Sequence, residues 1–152
     1  MSNTNDMLND PEILRELIMD HYQYPHIHKL TGEADYKSVH MASDSCIDDI
    51  TVQSKIKDGK IEDIRFDGEA CAISTSATSI MIRSLIGKSV GEAEKILSNY
   101  RNMINEKEYD RDLLGELTVY DEVCKQPNRK GCALIPYKAI EKILEGLNNE
   151  NQ

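Results

Sequence analysis

A chain of 152 residues is long enough to bury one core without disulfide staples, and with aromatics at 5%, no Trp and one Phe that core must be aliphatic, built from Ile, Leu, Met and Ala. A formal net charge of −9 argues against DNA or RNA as a partner, and no apolar run is long enough to span a bilayer. The polar, acidic opening "MSNTNDMLND" does not read as a secretory signal. The expectation is a cytoplasmic protein with a single domain over 1–152 and flexible ends at 1–9 and 148–152.

The stretch "DPEILRELIMDHYQYP" predicts the first helix. Asp10 is placed to cap it, Pro11 fits its first turn, and Glu12 suits the positive end of the dipole. Ile13, Leu14, Leu17, Ile18 and Tyr22 form its apolar stripe, and Pro25 is a stop. A strand is predicted at 36–43. "ITVQSKIKDGKIEDIRF" follows, with Ile50, Val52 and Ile56 at even spacing before Asp58-Gly59, and Ile64 and Phe66 after it. Asp-Gly between alternating segments is a strong hairpin signal. One face of the sheet is expected to pack on helices and the other to meet water.

Ala77, Ile80, Met81 and Leu85 then predict a helix closed by Gly87. Another starts from Ser89, with Ser89 and Glu92 as a capping box and Val90, Ala93, Ile96, Leu97, Tyr100 and Ile104 as its stripe. Within 105–131 the pattern supports a short helix over 112–120 and a loop over 126–131. The last helix is expected to run from near Cys132, with Ile140, Ile143, Leu144 and Leu147 on one face, and to end in a frayed "NNENQ". The fold class is α+β, a small antiparallel three-stranded sheet with helices packed on one face.

The chain has four cysteines, Cys46, Cys71, Cys124 and Cys132, and no CxxC pair, so any metal site must be assembled from separate parts of the fold. Cys46, in "SDSCIDD", precedes the hairpin. Cys71 follows the hairpin and begins a helix, and Cys132 begins the last helix. All three sit at element ends, where sites are commonly built, and two lie near helix N-termini, where the dipole favours thiolate. Asp48 lies two residues after Cys46, and in an extended segment the two side chains point the same way. Three sulfurs and one carboxylate suffice for a tetrahedral zinc site. Taken one at a time, Cys46 and Cys71 read as small buried hydrophobes, because nothing local places them together. Asp48 alone reads as a turn or capping residue, and Asp49 beside it competes for the assignment. Cys124 reads as an ordinary thiol. His21, His26, His28 and His40 are assigned to solvent or core, with adventitious metal binding by His26 and His28 as the alternative. The Ser/Thr run at 74–79 has no His/Asp companions at a hydrolase spacing and reads as close helix packing.

The landmarks "LRELIMDHYQYP", "SCIDD", "DGKIEDIRFDGEACAISTSATSIM", "LIGKSV" and "RKGCALIPYKAIEKIL" together resemble the U-type iron–sulfur assembly proteins, the IscU and NifU N-terminal family, and most of all its SufU branch. The likeness runs from Ile13 to Leu147. It implies a SufE/NifU-like fold. Carried over position by position, it implies a metal site of Cys46, Asp48, Cys71 and Cys132, to which Cys124 does not belong. In the SufU branch those ligands hold Zn(2+), and the family role is to accept sulfane sulfur from a SufS-type cysteine desulfurase, with Cys46 as the acceptor, for use by downstream iron–sulfur assembly proteins. A desulfurase histidine is expected to replace one thiolate on the zinc and free it to attack. The alternative within the family is a scaffold building an iron site or [2Fe–2S] cluster on the same residues. Two positions depart from the pattern. Ile47 stands where the family has Gly between Cys and Asp. Gly131 stands where scaffold members carry His and SufU-like members often Lys, which counts against the scaffold role. Arg129 and Lys130 just upstream could supply positive charge near the site.

Overall fold

A computed structural model describes residues 10–24, 30–32, 36–42 and 49–150. Its elements in chain order are helix α1 (Pro11–Gln23), strands β1 (Lys37–Ala42), β2 (Asp49–Lys57) and β3 (Lys60–Glu69), and helices α2 (Ala72–Leu85), α3 (Val90–Ile104), α4 (Arg111–Leu114) and α5 (Pro127–Glu150). Two 3-10 segments, Gly115–Tyr120 and Val123–Lys125, lie between α4 and α5. The strands form one antiparallel sheet in the order β1-β2-β3. Helix α2 packs on β3, α5 packs on β1 and β2, and α1 and α3 flank these two helices. This is the α+β architecture read from the sequence.

The β2–β3 hairpin forms where Asp-Gly predicts it. Asp58 and Gly59 both have positive φ (54° and 76°), the pair of left-handed residues a two-residue turn requires. Ile50, Val52, Ile61, Ile64 and Phe66 are buried on the helix side. The hairpin is tied to the α2–α3 junction by the backbone. Gly87 N–H donates to Ile61 O (2.8 Å), Ile61 N–H to Lys88 O (2.9 Å) and Val90 N–H to Gly59 O (2.9 Å). Ser89 caps α3 by accepting the Glu92 N–H, while its hydroxyl donates to the Glu92 carboxylate.

The outer face of the sheet is less open than alternation alone predicts. Residue Thr31 lies over it, exchanging two hydrogen bonds with the Gln53 amide (2.8 and 3.0 Å), and Gln53 is buried. Beside this patch Tyr36 donates to Asp63, and Arg65 both bonds Asp63 (2.8 Å) and lies over the Tyr36 ring.

Helix α1 departs from the sequence reading in one position. Ile13, Leu14, Leu17 and Ile18 face inward, but Tyr22 is 42% exposed and His21 takes the inward place. The step from Leu14 to Leu17, Ile18 and His21 follows the helical repeat, and the imidazole is made tolerable there by a 2.7 Å hydrogen bond between Nδ1 and Ser79 Oγ. Helix α5 begins five residues before Cys132, so 127–131 is helix and not loop. Pro127 fits a first helical position, and the Arg129 N–H closes onto Gln126 O (2.8 Å). Ile140, Ile143 and Leu144 are buried on its inner face, and the helical backbone continues to Glu150; the side chain of Leu147 lies outside the described residues. Among the described residues no helix is long and apolar enough to cross a membrane.

Burial pushes the Asp63 carboxyl up, but the hydrogen bonds from Tyr36 and Arg65 and the guanidinium charge outweigh it and hold Asp63 below the ordinary carboxylate range. A depressed folded-state pKa contributes stability that is present above the unfolded value and lost as pH falls through the folded one. Asp63→Asn is therefore expected to lower stability at neutral pH, with the gap to the unmodified chain closing as pH falls below the ordinary Asp value of ~3.9. Urea unfolding of both proteins across pH checks this; a gap independent of pH would show that the carboxylate charge is not what stabilises the cluster.

Candidate metal centre

The chain enters Cys71 at one end of the sheet. Register places Ala42 opposite Asp49 and Asp49 opposite Glu69, so β1 ends and β2 begins beside the segment that leads into Cys71. Gly68 makes this possible. Its φ is +139°, and a Cβ built on it would fall 1.9 Å from the Asp49 carbonyl oxygen and 2.9 Å from the Ile50 Cα. Only a residue without a side chain lets the two strands close at this point. Cys46 and Asp48 belong to the connection between β1 and β2 and, with Ile47, lie outside the described residues.

Cys71 is the N-cap of α2, with extended backbone (φ −67°, ψ 169°). Its sulfur fills the place usually taken by a Ser or Asp oxygen and accepts the Ser74 N–H at 3.4 Å. It is half-buried, with the first turn of the helix beneath it. A sulfur there meets the positive end of the helix.

Cys132 is fully buried, and it stands in the second turn of α5 instead of opening the helix. The dipole argument therefore applies to Cys71 and not to Cys132. The backbone of Cys132 meets the start of α2. Ser74 Oγ donates to the Cys132 carbonyl oxygen at 3.2 Å and lies 3.5 Å from Cys71 Sγ. One buried serine thus touches both cysteines. The sequence reading took the Ser/Thr run as close packing, and its members are indeed buried. Thr75 bonds Ala70 O, Ser76 bonds Ile73 O and the Tyr120 hydroxyl, Thr78 bonds Ser74 O, and Ser79 meets His21. What pattern alone missed is that one of these hydroxyls joins two candidate ligands. The signal was a serine three residues after the first cysteine.

The floor of the site reaches into the stretch between α3 and α5. The Tyr120 phenol is buried against Ser76; burial pushes its pKa up, with the nearby Cys71 sulfur adding to the effect. Arg129 is exposed and Lys130 half-buried, both in the first turn of α5, ahead of Cys132. Near the β2 edge of the site, His40 pairs with Asp49 through a 2.5 Å contact on the exposed surface. The side chain of Cys124 lies outside the described residues, in the second 3-10 segment. His26 and His28 lie outside them too. Among the described residues no three metal-ligating side chains cluster, and the set of four needs Cys46 and Asp48 to complete it.

Gly68→Ala is expected to destabilise the protein by more than about 2 kcal/mol, because the Cβ would meet backbone and not a flexible side chain. Denaturant unfolding checks this, and a loss under about 0.5 kcal/mol, the size of an ordinary surface change, would mean the strands can part there freely.

The family model for the NifU-like N terminal domain matches residues 13–133. The chain is 33% identical over 131 residues to the zinc-dependent sulfurtransferase SufU of Bacillus subtilis, covering 86% of this chain and 88% of that one. It is 32% identical over 131 residues to the iron–sulfur cluster assembly scaffold protein IscU of Streptococcus pyogenes, covering 85% and 80%. The crystal structure of FiSufU from Fervidobacterium islandicum AW-1 superposes with a TM-score of 0.79 at 31% identity, covering 89% of this chain and 99% of that one. A NifU-like N-terminal protein from Brucella abortus, at 18% identity and a TM-score of 0.79 over 97% of this chain and 99% of its own, shares the fold.

Proposed function

Because the chain belongs to the NifU-like N-terminal domain family, we propose that it serves iron–sulfur cluster assembly as a zinc-dependent sulfurtransferase, taking persulfide sulfur from a SufS-type cysteine desulfurase. The observation that supports this most directly is Ser74. It touches the Cys71 sulfur and the Cys132 carbonyl at the sheet end where the chain segment bearing Cys46 and Asp48 leaves β1 and rejoins β2.

The donor set fits the ion. The Cys71 sulfur and the Cys132 backbone carbonyl meet one serine from different elements, and thiolate-rich sites suit zinc or iron–sulfur clusters over hard cations. Cys46, Asp48, Cys71 and Cys132 would hold the zinc. When bound, that ion would keep the sulfurs deprotonated without redox chemistry of its own. Among the residues, Cys71 is held half-open at a helix N-terminus while Cys132 is enclosed, so the two sulfurs differ in access. The transfer itself is a thiol–disulfide type exchange. The Cys46 thiolate attacks the outer sulfur of the desulfurase persulfide, a new sulfur–sulfur bond forms on Cys46, and the desulfurase cysteine departs as thiolate with the electron pair of the broken bond. Exposed Arg129 and half-buried Lys130 could favour approach of an anionic persulfide.

The scaffold reading is favoured by the IscU relatives and opposed by Gly131, which stands where the family resemblance implies a histidine in scaffold members. Native mass spectrometry of protein purified without added metal separates the two. One zinc and a colourless solution is the expected result, whereas bound iron and sulfide with visible absorption would replace transfer by cluster building.

In a sulfide-release assay the protein is expected to multiply desulfurase turnover, with Cys46→Ser or Cys71→Ala abolishing the gain. Undiminished stimulation by both variants would sink the transfer reading. Removing the metal with a strong chelator should lower the thermal midpoint, since gathered thiolates repel one another without a cation. Identical midpoints before and after chelation would count against a tightly held ion.

A further inference from the structure

The sequence "CALIP" sets a proline four residues after Cys132, inside α5. In an α-helix the carbonyl of residue i accepts the N–H of residue i+4, and proline has none to give. The Cys132 carbonyl is therefore denied its helical donor, and the proline ring crowds it. A buried carbonyl left so would be costly. It accepts the Ser74 hydroxyl, from another helix, at 3.2 Å, with Ser74 itself 0% exposed. The next carbonyl, that of Ala133, whose i+4 partner Tyr137 does carry an N–H, also accepts a hydroxyl from another helix, that of buried Tyr100, at 2.6 Å. Tyr100 is a dependable donor there, because burial raises its pKa well above the ordinary value.

We propose that Ser74 is a positioning residue for Cys132, acting through the carbonyl that Pro136 frees. The carbonyl carbon and the Cβ share one Cα, so anchoring the former sets the direction in which the thiol leaves α5. The same serine holds Cys71 through its N–H at 3.4 Å. The geometry of one cysteine is thereby fixed relative to the other by a single residue of α2. The inference rests on the reading of both cysteines as ligands, and its test has a readout that does not need the metal.

Three variants of the full chain are compared with the parent: Ser74→Ala, Pro136→Ala and the double change. In metal-stripped protein, alkylation of Cys132 by iodoacetamide is followed by mass spectrometry. Ser74→Ala is expected to speed it at least about tenfold, the effect of losing one buried hydrogen bond. In the Pro136→Ala background position 136 regains an N–H, the helix supplies the missing donor, and adding Ser74→Ala should change the rate less than about twofold. In Co(II)-loaded protein the sulfur-to-cobalt charge-transfer bands should shift for Ser74→Ala and return in the double variant. Alkylation of Ser74→Ala at the parental rate, or an equal effect of Ser74→Ala in both backgrounds, overturns the proposal. Should Ser74→Ala alone fail to fold, a folded double variant upholds it and an unfolded one overturns it. Failure of the parent to take up cobalt would refute the metal reading and leave the alkylation cycle to decide on Ser74.

Discussion

At Gly68 the ends of β2 and β3 meet with no room for a side chain, since a Cβ there would fall against the Asp49 carbonyl. Everything at the candidate centre depends on that closure. It delivers the chain into Cys71 beside the start of β2, and it lets α2 begin immediately below the strand end. A sheet of three strands has little rigidity of its own, so the pin at this end matters as much as the hairpin turn at the other. At the far end Gly59, Ile61 and the α2–α3 junction share backbone hydrogen bonds, and the sheet is held between two fixed points.

Helix α2 is the second organiser. Almost all of it from Ser74 to Ile82 is buried, with α1, α5, β3 and the first 3-10 segment packed around it. A helix enclosed on all sides is normally apolar throughout. Here small hydroxyl residues replace much of the hydrocarbon, each with a hydrogen-bond partner. They let neighbouring backbones come close while satisfying groups that neighbours leave open: the His21 imidazole, the Tyr120 phenol and the Cys132 carbonyl. Packing and site construction are the same act in this helix.

Much of this was readable from residue order. Asp58-Gly59 forces a tight turn by its own stereochemistry, and Asp10 and Ser89 cap helices through local bonds, so these features need no tertiary partner to be foreseen. The misreadings share a cause, which is that they depend on distant partners. His21 goes inward because Ser79 waits there, although Tyr22 is the more apolar neighbour. Gln53 is buried because Thr31 crosses the sheet, which alternation within β2 cannot reveal. The start of α5 was obscured by Arg129, Lys130 and Gly131, a polar and flexible run that resembles a loop until the packing of the helix behind it is known. Cys71 at an element end was legible from the hairpin and the small residues after it. That one serine would bridge it to Cys132 was not, since the pairing spans fifty-eight positions.

The stretch between α3 and α5 has the irregular look of something that could be pared away. Tyr120 argues otherwise. Its ring is sunk in the interior with its oxygen on Ser76, while Thr118, Val119 and Leu117 fill the space around it. Cutting this stretch back would strip one flank of the central helix and admit water beneath the first cysteine of that helix. The excursion is part of the core around the central helix, and a shorter homologous chain would have to close the same gap with other bulk.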